Sequence, residues 1–288
     1  MVRIGIIGAG LMGSSTAKCL ASKGHDILVY NRTRSKAEKL CKEIGCKVVD
    51  YPRELGDVDY ILVSVLDDNA LFNIVFSREG LMSIENKDII VVNASTITPM
   101  TSELVYKVLR DKGIMYVEAP VYGSVDEALN CSLVSMISCE EKIYGKAVEF
   151  IKEYSSEIIY VGEIPKAMAL KLSLNNIGLS MPPIIGESLA LLEAYNVDLS
   201  IFLNVSSKLW FGKILERYLN RIMKPSKHVR FTTHGASKDY RLITRTLITN
   251  NYPSIISSAL MNYYSAATKE YGKEDYPKAA KWILKKNK

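Results

Sequence analysis

The stretch Val2-Arg3-Ile4-Gly5-Ile6-Ile7-Gly8-Ala9-Gly10-Leu11-Met12-Gly13 constrains the fold more than any other part of the chain. A short Ile-rich run reads as a buried strand. Gly8, Gly10 and Gly13 follow it in GxGxxG spacing, where a helical run, Leu11–Lys23, begins. In such a strand–turn–helix unit the first glycine allows a tight turn and the second lets a pyrophosphate approach the backbone. The third lets the helix pack on the strand. Free N–H groups at the helix N-terminus, around Ala9, Leu11 and Met12, then face the anion. The competing reading is a glycine-rich turn that binds nothing.

The first half of the chain alternates short β-rich runs with helical ones, which predicts βαβ units and a parallel sheet. Strands are expected at Arg3–Ile7, Ile27–Tyr30, Lys47–Val49, Asp59–Val65, Asp88–Asn93, Ile114–Val117, Leu133–Ser138 and Glu157–Val161. From Pro165 onward no period-2 run occurs, and apolar residues recur at helical spacing between Pro182-Pro183, Pro225, Gly235, Pro253 and Pro277. The expectation is an α/β chain: an N-terminal doubly wound Rossmann domain over 1–162, then an all-α C-terminal domain over 163–288. Dinucleotides bind at the carboxyl ends of such strands, so the active site is expected in the cleft between the domains.

The glycines at the N-terminus suit a turn better than a signal-peptide core. The longest apolar region, Met168 to Leu192, is interrupted by Lys171, Asn175, Asn176, Pro182, Pro183 and Glu187, so no membrane span is expected. Five cysteines without a CxxC read as reduced thiols of a cytoplasmic protein. The net charge of +6 (37 basic against 31 acidic residues) suits anionic small molecules and gives no sign of a nucleic-acid partner. His25, His228 and His234 have no metal-ligand spacing, so no metal is expected, and Lys281, Lys285, Lys286 and Lys288 read as a solvated terminus.

Two further constellations carry chemistry. The second strand ends in Tyr30-Asn31-Arg32-Thr33, where a carboxylate would bind the ribose 2′-OH of NAD. A neutral Asn31 followed by Arg32 suits a 2′-phosphate instead, so NADP, with NADPH preferred over NADH, is the expected cofactor. Arg34 and Lys36 either reinforce that field or begin a solvated helix. Lys171 and Asn175 lie four apart on one predicted helical face, with Ala167, Met168 and Leu174 as the other neighbours of Lys171. A cation on so apolar a stripe is costly unless paired or used, and burial lowers a lysine's pKa toward the range of a proton donor.

These residues resemble the β-hydroxyacid dehydrogenases, relatives of 6-phosphogluconate dehydrogenase that include 3-hydroxyisobutyrate dehydrogenases and glyoxylate or succinic semialdehyde reductases. The resemblance runs end to end. It rests on the GxGxxG opening, Asn93-Ala94-Ser95-Thr96-Ile97-Thr98-Pro99, Glu118-Ala119-Pro120-Val121-Tyr122-Gly123-Ser124, the Lys171/Asn175 helix and Ser237-Lys238-Asp239. It implies that Lys171 is the catalytic lysine and Asn175 its substrate-orienting partner, with Ser95 and Thr96 near the nicotinamide. It places Val65 and Leu66 under the adenosine ribose and Gly123 and Ser124 around a substrate carboxylate. Lys238 would lie on the cofactor side with Asp239 beside it; the alternative for both is an ordinary charged helix N-terminus. The family's Pro-Val-Ser-Gly-Gly loop reads Pro120-Val121-Tyr122-Gly123-Ser124 here, so Tyr122 takes the place of a substrate-binding serine. The implied activity is reversible hydride transfer between a small β-hydroxyacid or hydroxy compound and its aldehyde or keto form, in a homodimer or higher homo-oligomer. The alternatives are reduction of an imine or bulkier carbonyl, and a catalytically silent NADP-binding protein.

Overall fold

The computed structural model describes residues 1–224 and 229–285, in two compact units, Met1–Lys171 and Leu172–Lys288. The first runs β1 (Arg3–Ile7), α1 (Leu11–Ser22), β2 (Asp26–Tyr30), α2 (Arg34–Ile44), β3 (Lys47–Val48), β4 (Tyr60–Val63), α3 (Asp68–Phe76), β5 (Ile90–Asn93), α4 (Pro99–Asp111) and β6 (Met115–Glu118). It continues through β7 (Val121–Tyr122), α5 (Val125–Leu129), β8 (Leu133–Ser138), α6 (Glu141–Ile151) and β9 (Ser155–Gly162). The strand order is β3-β2-β1-β4-β5-β6-β8-β7, with β9 beside β8. The first six strands of that order are parallel; β8 runs antiparallel to β6 and β7 and parallel to β9.

Alternation along the strands explains the double winding, because successive side chains point to opposite faces. Ile4, Ile6, Leu62 and Val92 share a core with Ala17 and Leu20 of α1, Leu40 of α2 and Phe150 of α6. Their neighbours Ile7, Ile61, Val63 and Val91 pack on the other side with Leu71 of α3 and Val105 of α4. The strand order reverses between β1 and β4, the position where such sheets bind ligands. The short β7 and α5 went unforeseen, being two and five residues long.

The cysteines differ from expectation. Cys19 pairs with Cys131 and Cys41 with Cys46, leaving Cys139 free and buried. The first pair is 112 residues apart in sequence and meets only because of the tertiary fold; the second closes over the C-terminal turn of α2, where Gly45 has φ +74°. The reduced-thiol argument for a cytoplasmic location therefore falls.

The last strand ends at Gly162, and the first turn of the next helix, α7 (Lys166–Ala194), still belongs to the first unit. The second unit continues α7 and adds α8 (Leu199–Ser206), α9 (Gly212–Met223), α10 (Thr233–Thr249), α11 (Ile255–Tyr271) and α12 (Ala280–Ile283). Leu172 and Leu179 of α7 pack with Tyr240 of α10 and Tyr264 of α11, while Ile185 and Leu189 pack with Leu215 and Leu219 of α9. By length and composition alone α7 is apolar enough to cross a membrane, and a third of its apolar window is buried within the protein.

Helix α7 also passes unbroken through Pro182-Pro183. Two prolines in succession remove the N–H groups that would bond the carbonyls of Gly178 and Leu179. Tyrosine hydroxyls take their place: Tyr218 Oη donates to the Gly178 carbonyl at 2.9 Å and Tyr264 Oη to the Leu179 carbonyl at 2.7 Å.

Candidate active site

The glycine loop leaves the carboxyl end of β1. Gly8 adopts φ +106°, and a Cβ there would lie 2.1 Å from the Ser64 carbonyl oxygen; one on Gly13 would lie 1.9 Å from the Gly8 carbonyl oxygen. At Gly10 a Cβ would meet no protein atom within 4 Å. The outer glycines are thus demanded by the fold, and the middle one opens outward. The first turn of α1 has no side-chain cap and no acidic residue, which leaves the N–H groups after Gly10 to an anion. Ala9 is not among these donors, because its N–H is given to Asn31 Oδ1 at 2.9 Å. Asn31 Nδ2 donates in turn to the Thr33 carbonyl at 2.8 Å, so Asn31 braces the loop against the end of β2. This cradle fits a dinucleotide pyrophosphate. Arg32 is exposed and has no ion pair among the described residues, whereas Arg34 is engaged by Glu38 and Asp50. Leu11 and Leu66 are exposed.

At the carboxyl ends of β4 and β5, Ser95 is buried and its Oγ accepts the Val65 N–H at 2.9 Å. The Ser95 N–H bonds Asn93 Oδ1 at 3.0 Å, and Thr96 is half-buried beside it.

Lys171 stands on the second turn of α7. The start of that helix is tied to the sheet, since the Ala167 N–H donates to Ser138 Oγ at 2.9 Å and the Met168 N–H to Glu118 Oε2 at 3.3 Å. Burial raises the Glu118 carboxyl to about 7. The Lys171 ammonium lies over the Tyr122 ring, 4.3 Å from its centroid, a cation–π contact. Gly123 has φ +135°, and a Cβ there would press on Leu133 at 2.7 Å. Ser124 caps α5 in a reciprocal box with Glu127, which the Ser124-Val125-Asp126-Glu127 spacing could have revealed.

In the second unit Asp239, 1% exposed, holds two predicted site residues. Its Oδ2 accepts from Asn175 Nδ2 at 2.7 Å and its Oδ1 pairs with Lys238 Nζ at 2.6 Å. Asp239 thereby fixes the amide and the ammonium, with both of its oxygens committed.

The remaining candidates stand apart from these groups. His25 pairs with Glu153, and His234 packs at Gly272; His228, Lys286 and Lys288 lie outside the described residues. A cavity of about 100 Å³ lined by Tyr106, Arg110, Glu140 and Lys142 reaches Met115 at the opposite, amino end of β6, and its charges are already engaged, Glu140 by Tyr106 and Lys142 and Arg110 by Tyr106 and Asp111.

A doubly wound sheet with an open glycine cradle and a lysine carried to its carboxyl edge defines a dinucleotide-dependent oxidoreductase. Residues 3–162 match the family described as the NAD binding domain of 6-phosphogluconate dehydrogenase. The chain is 30% identical over 219 residues to the uncharacterized oxidoreductase YfjR of Bacillus subtilis, covering 75% of this chain and 76% of that one. It is 28% identical over 276 residues to glyoxylate/succinic semialdehyde reductase 2 of Arabidopsis thaliana, covering 95% and 76%. The fold also matches a 3-hydroxyisobutyrate dehydrogenase of Mycobacterium tuberculosis solved with L-serine, with TM-score 0.83, 17% identity and coverage of 99% and 100%. The chain belongs to the β-hydroxyacid dehydrogenase family, the relatives of 6-phosphogluconate dehydrogenase.

Proposed function

We propose that the chain is an NADP(H)-dependent reductase of small aldehydes or keto acids, reversible as a β-hydroxyacid dehydrogenase, with Lys171 as general acid and base. The observation that carries this reading is the placement of Lys171: the first turn of α7 is bonded to Glu118 and Ser138 at the edge of the sheet, and the ammonium rests on Tyr122. The bound nicotinamide supplies the hydride. Lys171 gives a proton to the oxygen of the reduced carbonyl and retrieves it in the oxidative direction. Asn175, one helical turn along α7 and held by Asp239, orients the substrate, and Lys238 serves the cofactor side. The uncapped turn of α1 takes the pyrophosphate, Arg32 the 2′-phosphate, and Val65 and Leu66 the adenosine side. NADPH consumption across a panel of aldehydes, 2-keto acids and imines tests the reading. Turnover of none of them would sink it.

Tyr122 favours a second reading, reduction of a bulkier or uncharged carbonyl. Its ring occupies one side of the lysine ammonium where the family's loop carries a serine. Tyr122→Ser should then lower KM for a short acid semialdehyde and leave uncharged aldehydes little affected. A raised KM for the acid would make Tyr122 itself a carboxylate ligand.

We also propose that a second copy covers the helical unit. Ile177, Ile184 and Leu191 are 62, 55 and 64% exposed at seven-residue spacing along α7, a stripe that suits pairing with its own kind. A monomeric mass by light scattering at micromolar concentration would refute this.

A further inference from the structure

Glu118 ends β6 with no exposure to solvent, and the mechanism above gives it no chemical role. Its Oε2 accepts the Met168 N–H, the neighbouring Ser102 hydroxyl favours the anion against burial, and Oε1 is buried without a hydrogen-bond partner. Ser102 Oγ lies 3.0 Å from Tyr116 Oη, and Asn93 Nδ2 donates to that same oxygen at 2.8 Å. Asn93 Oδ1 then receives the Ser95 N–H, and Ser95 Oγ receives the Val65 N–H. Hydrogen bonds therefore run from Ser102 under the carboxyl edge of the sheet to Ser95, and Glu118, bonded to the start of the lysine helix, lies against the Ser102 end of that run. Met168 precedes Lys171 by three residues, so both lie on one face of α7 and a shift of the helix start is carried to the lysine. A carboxyl buried with one oxygen unsatisfied is a costly way merely to fill space, which an apolar side chain would do as well.

We propose that Glu118 is a positioning residue, which holds the N-terminus of α7, and with it Lys171, in register with Ser95 through the Ser102–Tyr116–Asn93 chain. The proposal rests on the reading of Lys171 as the proton donor.

The groups facing Glu118 are Tyr116 from its own strand, Ser102 from α4, Asn93 from β5, Ser138 from β8 and the Met168 N–H from α7. No ion pair reaches it among the described residues, and burial also drives the Tyr116 phenol well above its usual range. Glu118 is therefore neutral below pH about 7 and anionic above it. The anion is favoured by the N–H groups of the helix start, so the register tightens as pH rises through neutrality.

The test compares the wild-type chain with Glu118→Gln and Glu118→Asp in two measurements. The first is the pH profile of kcat for the carbonyl that the wild type reduces fastest with NADPH. The wild type should gain activity from about pH 6 to about pH 8. Glu118→Gln should lose that rise and about 10-fold in kcat at the upper end, with KM little changed, and Glu118→Asp should restore part of the rise. The second needs no substrate: hydrogen exchange, corrected for its intrinsic pH dependence, in segments 164–172 and 93–99. Both segments should gain protection together as pH rises in the wild type, and neither should in Glu118→Gln. A wild-type pH limb retained in Glu118→Gln overturns the proposal, as does a response in the helix segment without one in the Ser95 segment. If no carbonyl is turned over, the reductase reading fails and the exchange measurement alone decides whether Glu118 couples the two segments.

Discussion

The glycine loop after β1 and the proline pair inside α7 both leave backbone groups without their regular partners, and the molecule treats them in opposite ways. After Gly10 the free N–H groups of α1 receive no side-chain cap, and Gly10 itself has open space around it. Before Pro182-Pro183 the two freed carbonyls are closed by tyrosines of the helical unit. A backbone group that the protein satisfies with its own side chain is architecture; one it leaves open beside a glycine with room around it is a candidate binding site. The same contrast separates Asp239, whose oxygens are committed to Asn175 and Lys238, from Arg32, which is exposed beyond the end of β2.

The largest effect should come from the residue that the architecture holds but does not consume. Lys171→Ala removes the proposed proton donor and leaves the glycine cradle untouched. Turnover should fall by roughly 10²–10⁴-fold while NADPH affinity, read by titration calorimetry, stays within a factor of about two. A near wild-type rate would class Lys171 with the architectural groups and abolish the contrast at its most important point.

Within the loop the glycines should divide in the same manner. Gly13→Ala places a methyl 1.9 Å from a backbone oxygen that cannot move aside, so it should destabilise the first unit by roughly 1–3 kcal/mol or more and weaken cofactor binding with it. Gly10→Ala meets no protein atom within 4 Å and should leave the melting curve in place, with its loss confined to NADPH binding. Equal shifts in melting for the two variants would show that the open side of the loop is structural after all.

How much was legible in the sequence follows from how local each feature is. The glycine spacing, the strand alternation and the lysine helix repeat within a few residues, and they foretold the doubly wound sheet, the helical second half and the glycine loop after β1. Asn31 was read only for the charge it lacks; its bond to Ala9 depends on β2 lying beside β1. Cys19 and Cys131 look like isolated thiols until the fold joins them, and Pro182-Pro183 looks like punctuation until hydroxyls from 40 and 85 residues further along reach the carbonyls before it. Glu118 passed as part of a family motif, because only burial and the Met168 N–H distinguish it. The Ser124–Glu127 capping box is fully legible in the Ser124-Val125-Asp126-Glu127 spacing.

The tyrosine closure can be tested directly. Tyr264 is fully buried, so Tyr264→Phe strands the Leu179 carbonyl and should cost about 1–3 kcal/mol in unfolding free energy, with cofactor affinity unchanged. Pro183→Ala returns an N–H to that same carbonyl. In its background Tyr264→Phe should cost distinctly less, giving a coupling of about 1 kcal/mol in a double-mutant cycle. Additive effects would show that the hydroxyl does not replace the missing donor.

The last expected effect concerns a group whose partner is not protein. Arg32 follows an asparagine whose amide is already spent on Ala9 and Thr33, so no side chain at the end of β2 offers a negative charge to a ribose hydroxyl. Arg34 cannot substitute, because Glu38 and Asp50 hold it. Arg32 is then the nearest cation left to meet a 2′-phosphate, with Lys36 further along α2, and a charge-assisted hydrogen bond is worth about 1.5–3 kcal/mol. Arg32→Ala should weaken NADPH roughly 10-fold or more and leave NADH nearly unchanged. The melting temperature without cofactor should not move, since the guanidinium has no ion pair among the described residues. If both cofactors weaken equally, Arg32 serves the loop and not the phosphate, and the rule that open groups mark ligands fails at its simplest instance.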